Sequence, residues 1–259
     1  MNVVVCVKQI PDPSAAGRLE PNTHRLVRDG VDVVLDPGDE VAVEAALRVA
    51  EAAGAEVTVV SMGPERGIDA IRKALAMGAH RAVLVSDPRL AGSDALATSR
   101  VLAAAIARTG ADVVVAGTES TDGYTGIVPA AIAELLDRPA LTFATAITVD
   151  GNTVRIQRQT EVGHDLVEAP LPVVITVTGA ANQPRYPSLR GIMAARAKPV
   201  DRPSLEDLGI DPDTVGPTAA AQLVVAVTPA SERTAGEIVV DDGGGARRIV
   251  DYLAALKLI

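Results

Sequence analysis

The sequence predicts an α/β protein, a parallel sheet with helices on both faces, and three observations carry that reading. Short β-branched runs alternate with longer Ala-rich segments of helical period, the order expected of repeated strand–helix–strand crossovers. The apolar fraction of 48% comes mostly from Ala, Val, Leu and Ile, while aromatics make up 2% and Trp is absent, as in packed parallel strands under small-residue helices. With 259 residues the chain can bury a sizeable core as one large domain with an appendage.

The elements follow in order. Residues 2–8, NVVVCVK, read as a strand buried on both sides. A polar loop of Pro, Gly, Asn and Asp runs from Gln9 to about Asp36. Val41, Ala42, Ala45, Ala46, Val49 and Ala50 then recur at helical spacing, which predicts a helix with Asp39 as N-cap and Gly54 as its stop. Strand 56–61, the turn Met62-Gly63-Pro64, a helix over 65–77 and strand 82–86 come next. A helix from Ser93 to Arg108 leads to strand 112–116, and these crossovers are expected to be right-handed. The loop 117–126, rich in Gly, Ser, Thr and Asp, precedes an Ala-rich helix over 128–136. Strands 141–149 and 153–160, joined by Asp150-Gly151-Asn152, read as a hairpin, and strand 171–177 returns to the main sheet.

Composition changes after Thr178. The stretch 182–200, NQPRYPSLRGIMAARAKPV, is basic and bracketed by prolines in an otherwise acidic chain. Pro, Asp and Gly from Pro199 to about Ala221 suggest a linker, and residues 222–228 another short strand. At the end, Ile249, Val250, Leu253 and Leu256 give a helix one apolar stripe, which needs its own domain or a second subunit to pack on.

Charge and motif content narrow the function. A formal charge of -9 and a pI near 4.9 oppose a phosphate backbone, so nucleic acid is not an expected partner. No apolar run reaches the roughly 18 residues of a membrane span, and no charged-then-apolar leader precedes the first strand; the expectation is a cytoplasmic protein without stable membrane insertion. Cys6 is the single cysteine and reads as a small buried hydrophobe. His24, His80 and His164 lack metal-ligand spacing, and Ser61 and Ser120 lack the nucleophile pattern G-x-S-x-G, so neither a metal site nor a catalytic residue is expected. Neither G-x-G-x-x-G nor the lysine-containing P-loop follows the first strand, which disfavours a nicotinamide enzyme. The best small-molecule candidate is the loop 117–126, because it joins the C-terminal end of a strand to a helix N-terminus, where unpaired amides meet anions. Its amides, its hydroxyls and Asp122 could bind an adenylate.

Several segments, in order, resemble the beta subunit family of electron-transfer flavoproteins. They are VCVKQIPD at 5–12, LDPGDEVAVEAAL at 35–47, VVSMGP at 59–64, KALAMGAHRAVLV at 73–85, GTESTDGYTG at 117–126, LPVVITV at 171–177 and the stretch 182–200. The match resumes at RTAGEIVVDD, 233–242. The resemblance implies a Rossmann-like domain of the adenine-nucleotide hydrolase-like kind over 1–200, with a partner-recognition loop at about 182–200, and a linker and C-terminal arm over 201–259 that packs on an alpha subunit. It implies FAD held mainly by the alpha subunit and AMP bound here as a structural ligand. The positions matching the AMP pocket are Cys6, Asp36, Pro37, Gly38, Asp39, Met62, Gly117, Thr118, Glu119, Ser120, Thr121, Asp122, Gly123, Tyr124 and Thr125.

The same resemblance assigns Tyr186, Leu189, Ile192 and Met193 to partner binding, with Leu189 as the anchor. Pro184 and Pro187 limit the loop's freedom, and Arg185, Arg190 and Arg196 are placed to steer it toward an acidic rim. The implied role is an electron carrier without catalysis of its own, relaying electrons from acyl-CoA and other flavin dehydrogenases toward a membrane quinone oxidoreductase, as in fatty acid oxidation. The chain departs from the family pattern in a shorter loop at 117–126, in Asp36 where many members carry Asn, and in Gly38 and Pro13 where some place an aromatic beside the flavin. An acid near phosphate is repulsive unless it takes ribose hydroxyls or caps a helix. Two alternatives stand beside this reading. One is an electron-bifurcating form with a second FAD in the beta-subunit site; the other is a non-redox adenine-nucleotide-binding module working as a homodimer.

Overall fold

Valine-rich runs flanked by helices leave no solvent face, and they become the central strands. The computed structural model describes residues 1–259 apart from Ala16, Pro229, 231–235 and Glu237. In chain order the elements are β1 (Asn2–Cys6), β2 (Gln9–Pro11), β3 (Val33–Leu35), α1 (Pro37–Ala53), β4 (Glu56–Met62), α2 (Ile68–Met77), β5 (Arg81–Val85) and α3 (Ala95–Ala107). They continue with β6 (Val113–Gly117), α4 (Val128–Leu135), β7 (Ala140–Asp150), β8 (Thr153–Thr160), β9 (Gly163–Pro170), β10 (Val173–Val177), α5 (Leu189–Ala195), β11 (Val200–Asp201) and α6 (Gly245–Ala255).

Nine strands form one sheet in the order β11-β5-β4-β1-β6-β10-β7-β8-β9, parallel from β11 to β7 and antiparallel beyond. The alternation of side chains sends Val3 and Val5 of β1 into one core layer with α1 and α2, and Val4 into the other with α3 and α4. The result is a Rossmann-like three-layer fold. From β1 the chain crosses to β4 on one side, while β6 lies on the other, so the order reverses between β1 and β6. Such a reversal opens a crevice at the carboxyl ends of the two strands.

Five expectations need correction. Asp36, not Asp39, caps α1: its carboxylate accepts from the Gly38 N–H at 2.9 Å, and Asp39 already lies inside the first turn. Pro37 follows at a position where a missing N–H costs nothing. The loop from Gln9 to Asp36 holds the antiparallel pair β2–β3 and a bridge between Leu19 and Leu26. The expected hairpin gains a third strand, β9, whose polar sequence GHDLVEAP shows little apolar alternation. Within 182–200, Ser188 caps the short helix α5 by accepting from the Gly191 N–H at 3.0 Å. Residues 222–228 form no strand.

The chain falls into two compact units, Met1–Val225 and Ala226–Ile259. In the first, the segment expected as a linker is partly built in: β11 pairs with the sheet edge at β5, and Leu205 and Val215 are buried in the core layer of α3. In the second, α6 leaves Ile249, Val250 and Tyr252 exposed, and Leu256 just after it is exposed too. Among the described residues no helix is long and apolar enough to cross a membrane.

Leu205→Ala should therefore behave as a core truncation and cost about 2–5 kcal/mol in urea unfolding. A linker side chain would stay within about 0.5 kcal/mol of wild type.

Candidate functional site

The neighbouring strands β4, β1 and β6 end at Met62, Cys6 and Gly117, so these residues line the same edge of the sheet. The first turn of α1 closes over this edge. Asp36 is fully buried, and besides capping α1 its carboxylate accepts from the Thr121 N–H at 2.6 Å and the Thr121 hydroxyl at 2.9 Å. Asp39 accepts from the Lys8 N–H at 2.8 Å, which ties α1 to the end of β1. A Cβ on Gly117 would lie 3.0 Å from Asp39 Oδ1 and 3.4 Å from the carbonyl carbon of Gly38, so glycine is what lets the turn Asp36-Pro37-Gly38-Asp39 sit on the end of β6.

Beyond Gly117 and Thr118 the loop passes Glu119, whose carbonyl faces Gly38, and turns at Ser120, whose carbonyl accepts from the N–H groups of Gly123 and Tyr124. Lys8 Nζ donates to Asp122 Oδ1 at 2.6 Å and to Ser120 Oγ at 3.2 Å, and Arg28 Nη2 donates to Asp122 Oδ2. Gly123, Tyr124 and Thr125 form the exposed tip before α4. The structure thus brings together the sequence-derived positions Asp36 to Asp39 and Gly117 to Gly123, with Cys6 and Met62 on the adjoining strand ends. Lys8 and Arg28 were not anticipated. Lys8 had a visible signal, a lone charge closing an apolar strand, whereas Arg28 sits in a polar loop without any motif.

Asp39 and Asp122 meet burial in different ways. Burial, then the nearby Asp36 charge, pushes the Asp39 carboxyl well above its ordinary value. Burial also opposes ionisation of Asp122, but the charge of Lys8 and hydrogen bonds from Lys8 and Arg28 outweigh it, and its carboxyl lies below the ordinary value. The Cys6 thiol is pushed up to about 12 by burial and then by Asp39, so it stays protonated at neutral pH and acts as packing, not as a nucleophile.

This donor set suits a phosphate. The first turn of α4 offers amides, Lys8 and Arg28 offer charge, and Gly123 keeps the loop open beside Lys8, since a Cβ there would lie 3.0 Å from Ser120 Oγ and 3.8 Å from Lys8 Nζ. Among the described residues no cluster of His, Cys, Asp and Glu is arranged to hold a metal ion. A separate open cavity of about 630 Å³ lies between α1 and β7, lined by Ala45, Val49, Ala146, Val149 and Asn182.

A second feature is the face of α5. Tyr186, Leu189, Ile192 and Met193 are all exposed, at 93%, 75%, 47% and 63%. The backbone beneath them is fixed. A Cβ on Gly191 would come 2.4 Å from the Ala76 carbonyl oxygen, so α5 rests directly on the end of α2. Arg72 Nη1 donates to the carbonyls of Ala195 and Lys198 at 2.5 and 2.9 Å, while Lys198 Nζ donates to those of Leu75 and Ala79 at 2.9 and 2.6 Å. Each helix end is thereby capped by a cation from the other segment. Arg185 binds Glu44 and Glu51 of α1, each at 2.6 Å, so of the three arginines expected to steer docking this one is committed internally.

Comparison with known proteins places these features. A family model described as electron transfer flavoprotein domain matches residues 23–208. The chain is 44% identical over 264 residues to the electron transfer flavoprotein subunit beta of Mycobacterium tuberculosis, covering 100% of this chain and 99% of that one. It is 38% identical over 239 residues to the protein of that name from Thermoanaerobacterium thermosaccharolyticum, covering 92% of each. It is also 36% identical over 241 residues, again 92% of each, to the caffeyl-CoA reductase-Etf complex subunit CarD of Acetobacterium woodii.

The raised Asp39 pKa has a testable sign. The folded state holds this proton above the ordinary value of 3.8, so stability falls as pH rises from there through the raised value. Asp39→Asn should remove that loss, and its thermal midpoint should pull steadily ahead of wild type as pH rises above the ordinary carboxylate value of 3.8. A constant gap across the range would contradict the assignment.

Proposed function

Because the chain belongs to the electron transfer flavoprotein family, as a subunit beta, we propose that it is one half of a heterodimeric carrier in which it binds AMP and its alpha partner holds most of the FAD. One observation carries the nucleotide assignment: the ends of β1, β4 and β6, the start of α1 and the loop 117–126 converge on one crevice with amides and two cations around it. In this reading the exposed amides near Thr125 and the first turn of α4 hold the phosphate. Asp36 orders the loop from behind, spending its carboxylate on protein groups and not on the ligand. The bound flavin supplies the electron-accepting and electron-donating chemistry, and the chain adds no catalytic group of its own.

The exposed side chains on and before α5 support a docking role, with Leu189 entering a pocket on an acyl-CoA or other flavin dehydrogenase. The electrons then pass toward a membrane quinone oxidoreductase, with the carrier itself in the cytoplasm and serving fatty acid oxidation. The exposed apolar positions of α6 suit an arm that packs on the alpha subunit. A second reading places another FAD in the beta-subunit site, as an electron-bifurcating form. It draws on the relative whose name puts it in a caffeyl-CoA reductase complex. A non-redox homodimeric module is set aside by the full-length match.

The test of the nucleotide assignment is to purify this chain with its alpha partner and identify the nucleotides released by acid. One FAD and one AMP per heterodimer supports the first reading, and two FAD supports the second. For docking, Leu189→Ala should slow electron transfer from a dehydrogenase about thirtyfold, the usual loss for a buried interface anchor. Flavin content, chemical reduction of the flavin and thermal midpoint should not change. An equal loss of all four would assign Leu189 to structure.

A further inference from the structure

Two basic side chains from distant segments meet at one carboxylate beside the crevice. Lys8 follows β1, Arg28 lies between β2 and β3, and both reach Asp122 in the loop after β6. Asp122 is nearly closed off from solvent, at 3%, while Lys8 and Arg28 keep 39% and 37% exposure. The carboxylate therefore grips the cations from behind and leaves their outer sides accessible. Two cations share one carboxylate, so the group keeps a formal charge of +1 in a chain whose total is -9.

Donor counting leads to the same place. An ammonium has three N–H donors, and Lys8 gives them to Asp122 and Ser120, which leaves one. A guanidinium has five, and Arg28 gives them to Asp122 and the Leu26 carbonyl, which leaves three. Of the neighbouring acids, Asp36 is saturated by Gly38 and Thr121, Asp39 is held by the Lys8 amide, and Glu119 is exposed and leans toward Gly126. Asp29, next to Arg28 in the chain, pairs with Arg66.

We infer that Lys8 and Arg28 are the phosphate-charge residues of the nucleotide site, with Asp122 as the buried group that positions both. This rests on the reading that the crevice takes an adenylate, and it adds the residues that distinguish a phosphorylated nucleoside from a bare one. The outer N–H donors of the two cations supply the charge that the amides near Thr125 and the first turn of α4 lack, while the nucleoside is held elsewhere in the crevice. A purely structural clamp makes no such distinction.

The experiment uses the alpha–beta heterodimer freed of nucleotide by dialysis and titrated calorimetrically with AMP and, separately, with adenosine. Lys8→Met and Arg28→Met keep an unbranched side-chain stem and remove charge. Each should weaken AMP at least about tenfold, the usual scale for a hydrogen bond to a charged group, and leave adenosine unchanged. Added salt should weaken AMP less in the variants than in wild type. Arg28→Lys, which keeps the charge, should retain most of the affinity for AMP. Equal weakening of AMP and adenosine, or no weakening of either, would overturn the proposal. Wild-type heterodimer that neither releases AMP nor binds it would overturn the adenylate reading itself, and this inference with it.

Discussion

The carboxylate of Asp36 joins two parts of the chain 85 residues apart, because it caps α1 with one hydrogen bond and holds Thr121 with two more. A buried acceptor with three donors is costly to disturb, since any donor lost leaves charge without water or partner. What hangs on it is the placement of α1. That helix runs 17 residues, roughly 25 Å, from the crevice along the sheet, and its later turns carry Glu44 and Glu51. Those two acids hold Arg185, at the entrance to the segment that bears Leu189. The crevice at the strand ends and the exposed face of α5 are therefore fixed by one rigid rod.

The crevice is acidic, and each acid in it is made tolerable by different means. Asp36 is satisfied by neutral donors, Asp122 by two cations, and Asp39 by the Lys8 amide and a carboxyl that burial holds well above its ordinary value. Together these lower the uncompensated negative charge facing the strand ends of an acidic protein. Burial of Cys6 belongs to the same arrangement, as the ionised thiol would add a further negative charge beside Asp39.

Much of this was legible from the residues. The valine runs gave the buried strands because a central strand needs apolar side chains on both faces, and α1 followed from the spacing of Val41 to Ala50. The loop 117–126 stood out because Gly, Ser, Thr and Asp gathered between a strand and a helix. What escaped was set by contacts distant in sequence. Asp36 and Asp39 are both adequate caps by type, and Thr121 together with the Lys8 amide decides between them. The strand β9 is polar because β8 supplies its backbone partners and its outer edge is open. Arg185 looked like a free surface charge, yet its partners lie 141 and 134 residues away. Residues 222–228 have the composition of a strand but pair with no strand among the described residues.

The scarcity of aromatics has an optical consequence. The chain has no tryptophan and three tyrosines, and all three rings are exposed. Each stands on a different segment: Tyr124 on the loop after β6, Tyr186 on the stretch leading into α5, and Tyr252 on α6. Without an indole to collect their excitation, the subunit's ultraviolet emission comes from these rings and from Phe143 alone. Nature has thus placed one native reporter on each part, and replacing any two tyrosines by phenylalanine isolates the signal of the third without an attached dye.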